Sequence, residues 1–412
     1  MPRVSVLVAT YNRASLLPES LESVLAQTVP PHQVIVINDG STDDTRAAVK
    51  AYSGKILYLE QWPNGGKSAA LNLGMQHVTG DYVWIMDDDD LALPDALERQ
   101  LEILESRAEV GFTYTSHYQP EGGVFCPPDS YDPVFLIRLM RGHFFRPSGM
   151  LVRTSCLREV GPYDPELFRS EDYDMSLRLA LRFQCARIDA PTFIVRYDFG
   201  PRGPSVDRFP FRKALLKAME YDKKVFRKVR REFPLHCYLP KRPGPRDDSS
   251  LTPNERRRAL FQRASIMASK DLHWEMAEDL YLASAIPMED TLTLDERGIL
   301  WDFEWCHDRL PPQFEQRRNR EVLQNTAAIS NSHALKSNRV AFEIKCDCAR
   351  GLYWKAIRTW QASDRLHAVV LFFSACRLVG ARGLPGIGFR KALGFRDDGP
   401  RPGIETTDSR KH

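Results

Sequence analysis

Short apolar runs and helical spacing alternate through the first half of the chain. Val4-Ser5-Val6-Leu7-Val8-Ala9-Thr10 has the length and β-branched content of a buried strand, and residues 16–27 then turn to amphipathic helical periodicity. A second strand, Gln33-Val34-Ile35-Val36-Ile37-Asn38, ends at Asp39-Gly40, where Ser41 or Thr42 is placed to cap a helix running through Lys50. A third strand is expected over residues 56–60. After the loop Pro63-Asn64-Gly65-Gly66 come a helix over 67–77, a fourth strand Tyr82-Val83-Trp84-Ile85-Met86, and another helix from about Pro94. This punctuation predicts the α/β class, with a mostly parallel sheet flanked by helices. Ligands of such sheets lie beyond the carboxyl ends of the strands.

From about Phe209 the strand patterns stop. Helical periodicity is expected over 256–285, 293–309, 339–362 and 365–379, and the Pro- and Gly-rich stretch 240–245 marks a soft boundary. Segments 274–284 and 354–363 share aromatic and alanine spacing that hints at helix-pair repeats; ordinary helix-on-helix packing produces the same spacing. The expected organisation is an α/β domain over 1–208, a helical extension over 209–396 and a frayed tail over 397–412.

With 412 residues, 43% of them hydrophobic, the chain is long enough for two cores. Charge separates the halves. Residues 1–208 carry 20 Lys and Arg against 28 Asp and Glu, and residues 209–412 carry 37 against 26, so the halves stand at −8 and +11. An acidic front suits a cation, and a basic rear suits an anionic membrane face or a partner complex, with solvated helix surface as the plainer explanation. Nucleic acid is not expected as a partner. The eight cysteines are scattered and read as reduced thiols. No leader pattern opens the chain, and the most apolar stretch, 366–380, is shorter than the ~20 residues of a membrane span. A cytoplasmic protein is expected, peripheral on the inner membrane face at most.

The chemistry concentrates at Asp87-Asp88-Asp89-Asp90, directly after the fourth strand. Crowded carboxylates repel one another unless a cation neutralises them, and hard oxygen ligands favour Mg²⁺ or Mn²⁺. A solvated loop or a helix cap would also account for acids here, but neither usually follows five apolar residues directly. Asp39 is either a turn residue or an acceptor for a nucleobase N–H, and Tyr11 beside Thr10 is either a stacking face or strand-end packing. Lys67, at a helix start after a Gly-rich loop, reaches a diphosphate or solvent. Glu171-Asp172 opens an amphipathic helix, where capping alone would explain both acids.

Four blocks in order resemble family 2 inverting glycosyltransferases of the GT-A fold: residues 4–13 with 37–45, Asn64-Gly65-Gly66-Lys67 through Asn72, Gly80 through Asp90, and 152–180 ending in Glu171-Asp172-Tyr173-Asp174 and its helix. The likeness covers roughly residues 3–200. It implies a nucleotide-sugar donor held by Thr10, Tyr11, Asp39, Lys67, Asp87 and Asp88, a Mn²⁺ or Mg²⁺ ion on Asp89, Asp172 as general base and Glu171 on the acceptor side. Where relatives carry a metal-binding histidine, this chain has Asp198, either a further ligand or structural, and Arg196 or Arg202 beside it offers a phosphate contact. The Gln-x-x-Arg-Trp motif of processive synthases is absent, so one sugar per encounter is expected, UDP-linked and moved to a glycan, lipid-linked or protein hydroxyl. A sugar-phosphate nucleotidyltransferase and a non-catalytic nucleotide-sugar-binding scaffold are the alternatives; the first usually opens on a Gly-rich cradle that Ala9-Thr10-Tyr11-Asn12-Arg13 lacks.

Overall fold

A computed structural model describes residues 2–196, 211–241, 247–286, 292–301 and 315–331, with single positions between 344 and 378. The strands are β1 (Val4–Thr10), β2 (Gln33–Asn38), β3 (Leu57–Glu60), β4 (Tyr82–Ile85), β5 (Leu91–Ala92), β6 (Val110–Tyr118), β7 (Val124–Phe125), β8 (Met150–Arg153) and β9 (Gln184–Ile194). They form a single sheet in the order β3-β2-β1-β4-β8-β6-β9-β5, with β7 paired to β6. The first four strands are parallel, as their alternation with helices predicts. Beyond β4 the sheet is mixed: β8 runs antiparallel to both β4 and β6, β9 is parallel to β6, and β5 is antiparallel to β9. The fold class is therefore α/β, with the parallel half carrying the motif-bearing strand ends.

Helices α1 (Leu17–Leu25), α2 (Thr45–Val49), α3 (Lys67–Met75), α4 (Ala96–Ser106), α5 (Phe135–Arg141), α6 (Thr154–Val160) and α7 (Glu171–Arg182) surround this sheet. Strand periodicity sorts the core. Val4, Val6, Val8, Val34, Val36 and Trp84 point to the face covered by Leu17 and Leu21 of α1 and Leu97 and Leu101 of α4. Leu7, Ile35, Ile37, Val83 and Ile85 point to the other, against Ala70 and Leu71 of α3. Each fully buried Val, Leu or Ile side chain contributes about 1.5–3 kcal/mol. Two-sided burial is why these strands read as continuous apolar runs.

Ser41 and Thr42 do not cap α2. The Ser41 hydroxyl accepts from Asn12 N–H at 2.9 Å and Thr42 N–H donates to the Asn12 side chain at 2.8 Å, so both hold the loop after β1. Asp43 instead accepts from Thr45 N–H at 3.0 Å.

The rear half is helical: α8 (Phe211–Glu232), α9 (Pro253–Ser269), α10 (His273–Ser284), α11 (Leu294–Trp301) and α12 (Glu315–Asn331). The single helix expected over 256–285 is two helices, broken where Asp271 takes a left-handed φ of 58°. Thr252 and Glu255 form a reciprocal capping box at the start of α9. Phe226 and Val229 of α8 and Leu260 of α9 belong to the same buried cluster as Tyr173 and Leu177 of α7. Among the described residues no helix is long and apolar enough to cross a membrane. The expected tail, most of 366–380 and most of the linker 240–245 lie outside the described residues; the single positions described within 339–362 and 370–378 are helical.

Candidate active site

The loop after β4 is fastened from three directions. Asp87 N–H donates to Ser148 Oγ at 3.1 Å, and the Ser148 hydroxyl donates to Asp90 Oδ2 at 2.7 Å. The Ser20 hydroxyl donates to Asp87 O at 3.1 Å. Arg196 donates from Nε to Asp89 O at 2.5 Å and from its backbone N–H to Asp90 Oδ1 at 3.3 Å. Its guanidinium also reaches Glu19 at 2.6 Å and Leu16 O at 3.2 Å, so Arg196 braces this loop. Asp90 is thus an orienting residue within the cluster.

Oxygens of Asp87, Asp89 and Asp90 lie within 4.8 Å of one another. Burial, reinforced by Asp89, pushes the Asp88 carboxyl up to about 7, and burial with Asp87 and Asp89 does the same to Asp90. Arg13 stands 4.0 Å from Asp88, and Lys67 is ion-paired with Asp87. Buried like charges at this spacing, presented as hard carboxylate oxygens, fit a divalent cation of the Mg²⁺ or Mn²⁺ kind.

Across the strand ends, Asp39 N–H donates to Thr10 O at 2.9 Å, joining β2 to β1. The Asp39 carboxylate accepts from Gly65 N–H at 2.8 Å and from the Gln61 side chain, which pins the Gly-rich loop before α3. Burial pushes this carboxyl above the usual range, against those hydrogen bonds. Gly40 (φ 72°) permits the approach, since a Cβ there would lie 2.9 Å from Asn64 N. The turn role of Asp39 is therefore present, and its side chain still lines the cavity. Lys67 opens α3; burial draws its ammonium down, but Asp87, Glu171 and Asp172 outweigh that and hold it raised.

The opposite wall is the head of α7. Ser170 precedes it at a left-handed φ of 60° and donates its hydroxyl to Asp222 Oδ1 of α8 at 2.6 Å. Burial, then Asp172, pushes Glu171 up to about 7. Asp172 Oδ1 accepts from Tyr173 N–H at 2.8 Å, and its Oδ2 lies 3.7 Å from His143 Nδ1.

All of these parts meet in one cavity of 440 Å³, lined by Thr10, Tyr11, Asp39, Lys67, Asp87, Asp88, Asp89, Glu171 and Asp172. Every site residue expected from the sequence lines it except Asp198, which with Arg202 lies outside the described residues. Sequence reasoning missed Arg13, His143, Phe168 and Lys217, which also line it. His143 sits in Gly142-His143-Phe144-Phe145, whose aromatic character reads as core. Lys217 comes from α8, beyond the boundary expected at 208.

Comparison with known proteins agrees with this geometry. Residues 5–154 match glycosyl transferase family 2, the family that the four blocks resemble. An uncharacterized glycosyltransferase of Rickettsia felis is 30% identical over 190 residues, 43% of this chain and 31% of the relative. YwdF of Bacillus subtilis, also an uncharacterized glycosyltransferase, is 28% identical over 225 residues, 52% of this chain and 81% of the relative. The chain thus spans about a third of the Rickettsia felis protein it matches. A crystal structure of S. aureus TarS 1-349 superposes with a TM-score of 0.50 at 16% identity, covering 70% of this chain and 84% of that one, a likeness of fold.

Proposed function

We propose that the protein is an inverting glycosyltransferase that moves one sugar from a nucleotide-diphosphate sugar, UDP-linked, to a hydroxyl of a glycan, lipid-linked or protein acceptor. The observation that carries this reading is the meeting of Asp87, Asp88 and Asp89 with the Glu171-Asp172 pair on one cavity. The first suits a leaving diphosphate and the second an incoming alcohol. Asp87, Asp89 and Asp90 would hold a Mn²⁺ or Mg²⁺ ion, with Asp198 a further candidate. When bound, such an ion neutralises the leaving diphosphate as a Lewis acid.

The chain's own residues do the rest. Tyr11 offers a ring face and Asp39 an acceptor to the nucleobase, with Thr10 beside them. Lys67, held against Asp87, adds positive charge beside the diphosphate, and Asp88 bounds the ribose side. Asp172 takes the proton of the acceptor hydroxyl as its oxygen bonds to the anomeric carbon, while the bond from that carbon to the diphosphate oxygen breaks and its electron pair leaves with the nucleotide. Attack opposite departure inverts the anomeric centre in one displacement, by the geometry of an inverting hydrolase. Glu171, its carboxyl pushed up to about 7 by burial and then by Asp172, stands beside the base on the acceptor side.

A panel of nucleotide sugars with Mn²⁺, with and without EDTA, tests the reading: one donor should bind and turn over with metal, and absence of both binding and metal-dependent turnover would remove it. For the rear half we propose peripheral docking to an anionic membrane face, motivated by its +11 balance. Sedimentation with anionic vesicles at low and high salt tests this, and indifference to lipid would remove it.

A further inference from the structure

His143 falls outside the four sequence blocks, yet its ring stands beside Asp172. It follows α5, only 8% of its side chain is exposed, and it lines the cavity. Nε2 lies 3.2 Å from Ser176 Oγ and Nδ1 lies 3.7 Å from Asp172 Oδ2. Asp172 and Ser176 stand four apart on α7 and so share one helix face, which the imidazole spans. The ring plane is fixed by stacking on Tyr173, centroids 4.7 Å apart at 17°. Tyr173 is itself immobilised: its hydroxyl lies 2.7 Å from Leu139 O and 2.9 Å from Met140 O, and the Lys270 ammonium sits 5.5 Å from its ring. Lys270 also donates to Arg141 O at 2.6 Å, tying the segment before His143 to the rear helices.

We propose that His143 is a positioning residue for the general base. In this arrangement the Ser176 hydroxyl, 3.2 Å from Nε2 and 4.0 Å from Met150 Sδ, gives its single proton to Nε2, which leaves the ring proton on Nδ1, on the side of Asp172 Oδ2. Tyr173 N–H holds Oδ1 of the same carboxylate. Each oxygen thus has its own restraint, and the carboxylate is kept in the rotamer that faces the cavity. The 3.7 Å separation of Nδ1 from Oδ2 is longer than a hydrogen bond, and it closes to one when substrate fills the site. A constraint of this kind acts on turnover and not on donor affinity, because nothing in it touches the nucleotide side.

This inference rests on Asp172 being the base, so the test separates the two. UDP release from UDP-glucose and UDP-N-acetylglucosamine with Mn²⁺, water serving as acceptor, is measured for wild type, Asp172→Asn, His143→Ala, His143→Gln and the double variant Asp172→Asn/His143→Ala. His143→Ala should lower kcat about 10- to 100-fold with donor Kd unchanged, and His143→Gln should recover most of the loss. The effect of His143→Ala should vanish in the Asp172→Asn background. Full turnover in Asp172→Asn would overturn the base assignment; full loss there with normal turnover in His143→Ala would overturn only the positioning role. ¹⁵N NMR of the His143 ring, which needs no turnover, should give the Nδ1–H tautomer with a resonance that moves in Asp172→Asn, and an Nε2–H tautomer would overturn the proposal. Should His143→Ala fail to fold, Ser176→Ala leaves the ring in place and should raise the Nε2–H population; an unchanged tautomer in that variant would overturn it as well.

Discussion

Buried charge is treated oppositely in the two halves of the molecule. In the rear helices it is matched within the protein: Arg257 of α9 makes two hydrogen bonds to Glu296 of α11, at 2.6 and 2.7 Å, with both side chains essentially inaccessible. Asp279 of α10, also inaccessible, takes Arg230 of α8 at 2.8 Å and Arg263 of α9 at 2.7 Å. At the front cavity buried acids are set beside acids, and Asp88, Asp90 and Glu171 are all pushed up to about 7. Matched charges fasten helices to each other. Crowded like charges destabilise their surroundings and persist where a ligand completes them.

Substitutions can break this contrast. The largest effect is expected for Asp172→Asn, which should lower kcat by about 10²–10⁴-fold with donor affinity retained, read from steady-state kinetics and equilibrium donor binding. Asp89→Ala should weaken both turnover and Mn²⁺-dependent donor binding, by at least about 100-fold in kcat/KM. In the rear, Arg257→Ala leaves the buried Glu296 carboxylate without its cation and should cost about 3–5 kcal/mol in denaturant unfolding. If Arg257→Ala proved harmless to stability, the matched-charge account of the rear helices would fail.

The smallest effect concerns pH. Glu171 has a folded-state pKa of about 7, raised first by burial and then by Asp172. The folded state therefore holds a proton that the unfolded chain releases near the ordinary value for Glu, about 4.3. The associated stability is fully present below that value and is lost as pH rises toward 7. Metal-free protein should lose unfolding free energy across this window, and Glu171→Gln should flatten the slope. An identical slope in that variant would assign the dependence to other groups.

Strands β1, β2 and β4 were legible because two-sided burial writes itself as unbroken apolar runs, and the acids were legible because they stand where those runs end. What escaped the sequence depends on distant pairing. The insertion of β8 between β4 and β6 brings Ser148 under the acid loop, but no local pattern announces which strand will be β4's neighbour. His143 is hidden for the same reason: its partners are 29 and 33 residues away, while its adjacent phenylalanines suggest packing. The break at Asp271 reverses backbone handedness inside a stretch whose side-chain periodicity continues across it. For Ser41 and Thr42, the hydroxyls were in place to cap, but Asn12 from the preceding loop competed for them.

The hydrogen bond from Ser170 to Asp222 has a practical corollary. The residue immediately before α7 is clasped by a side chain contributed from well past position 208, so a fragment ending there would enter solution with that helix start released. Engineering of this protein by exchange of modules would need to carry α8 along with the front, the cavity-bearing part of the molecule extending at least as far as its first long rear helix.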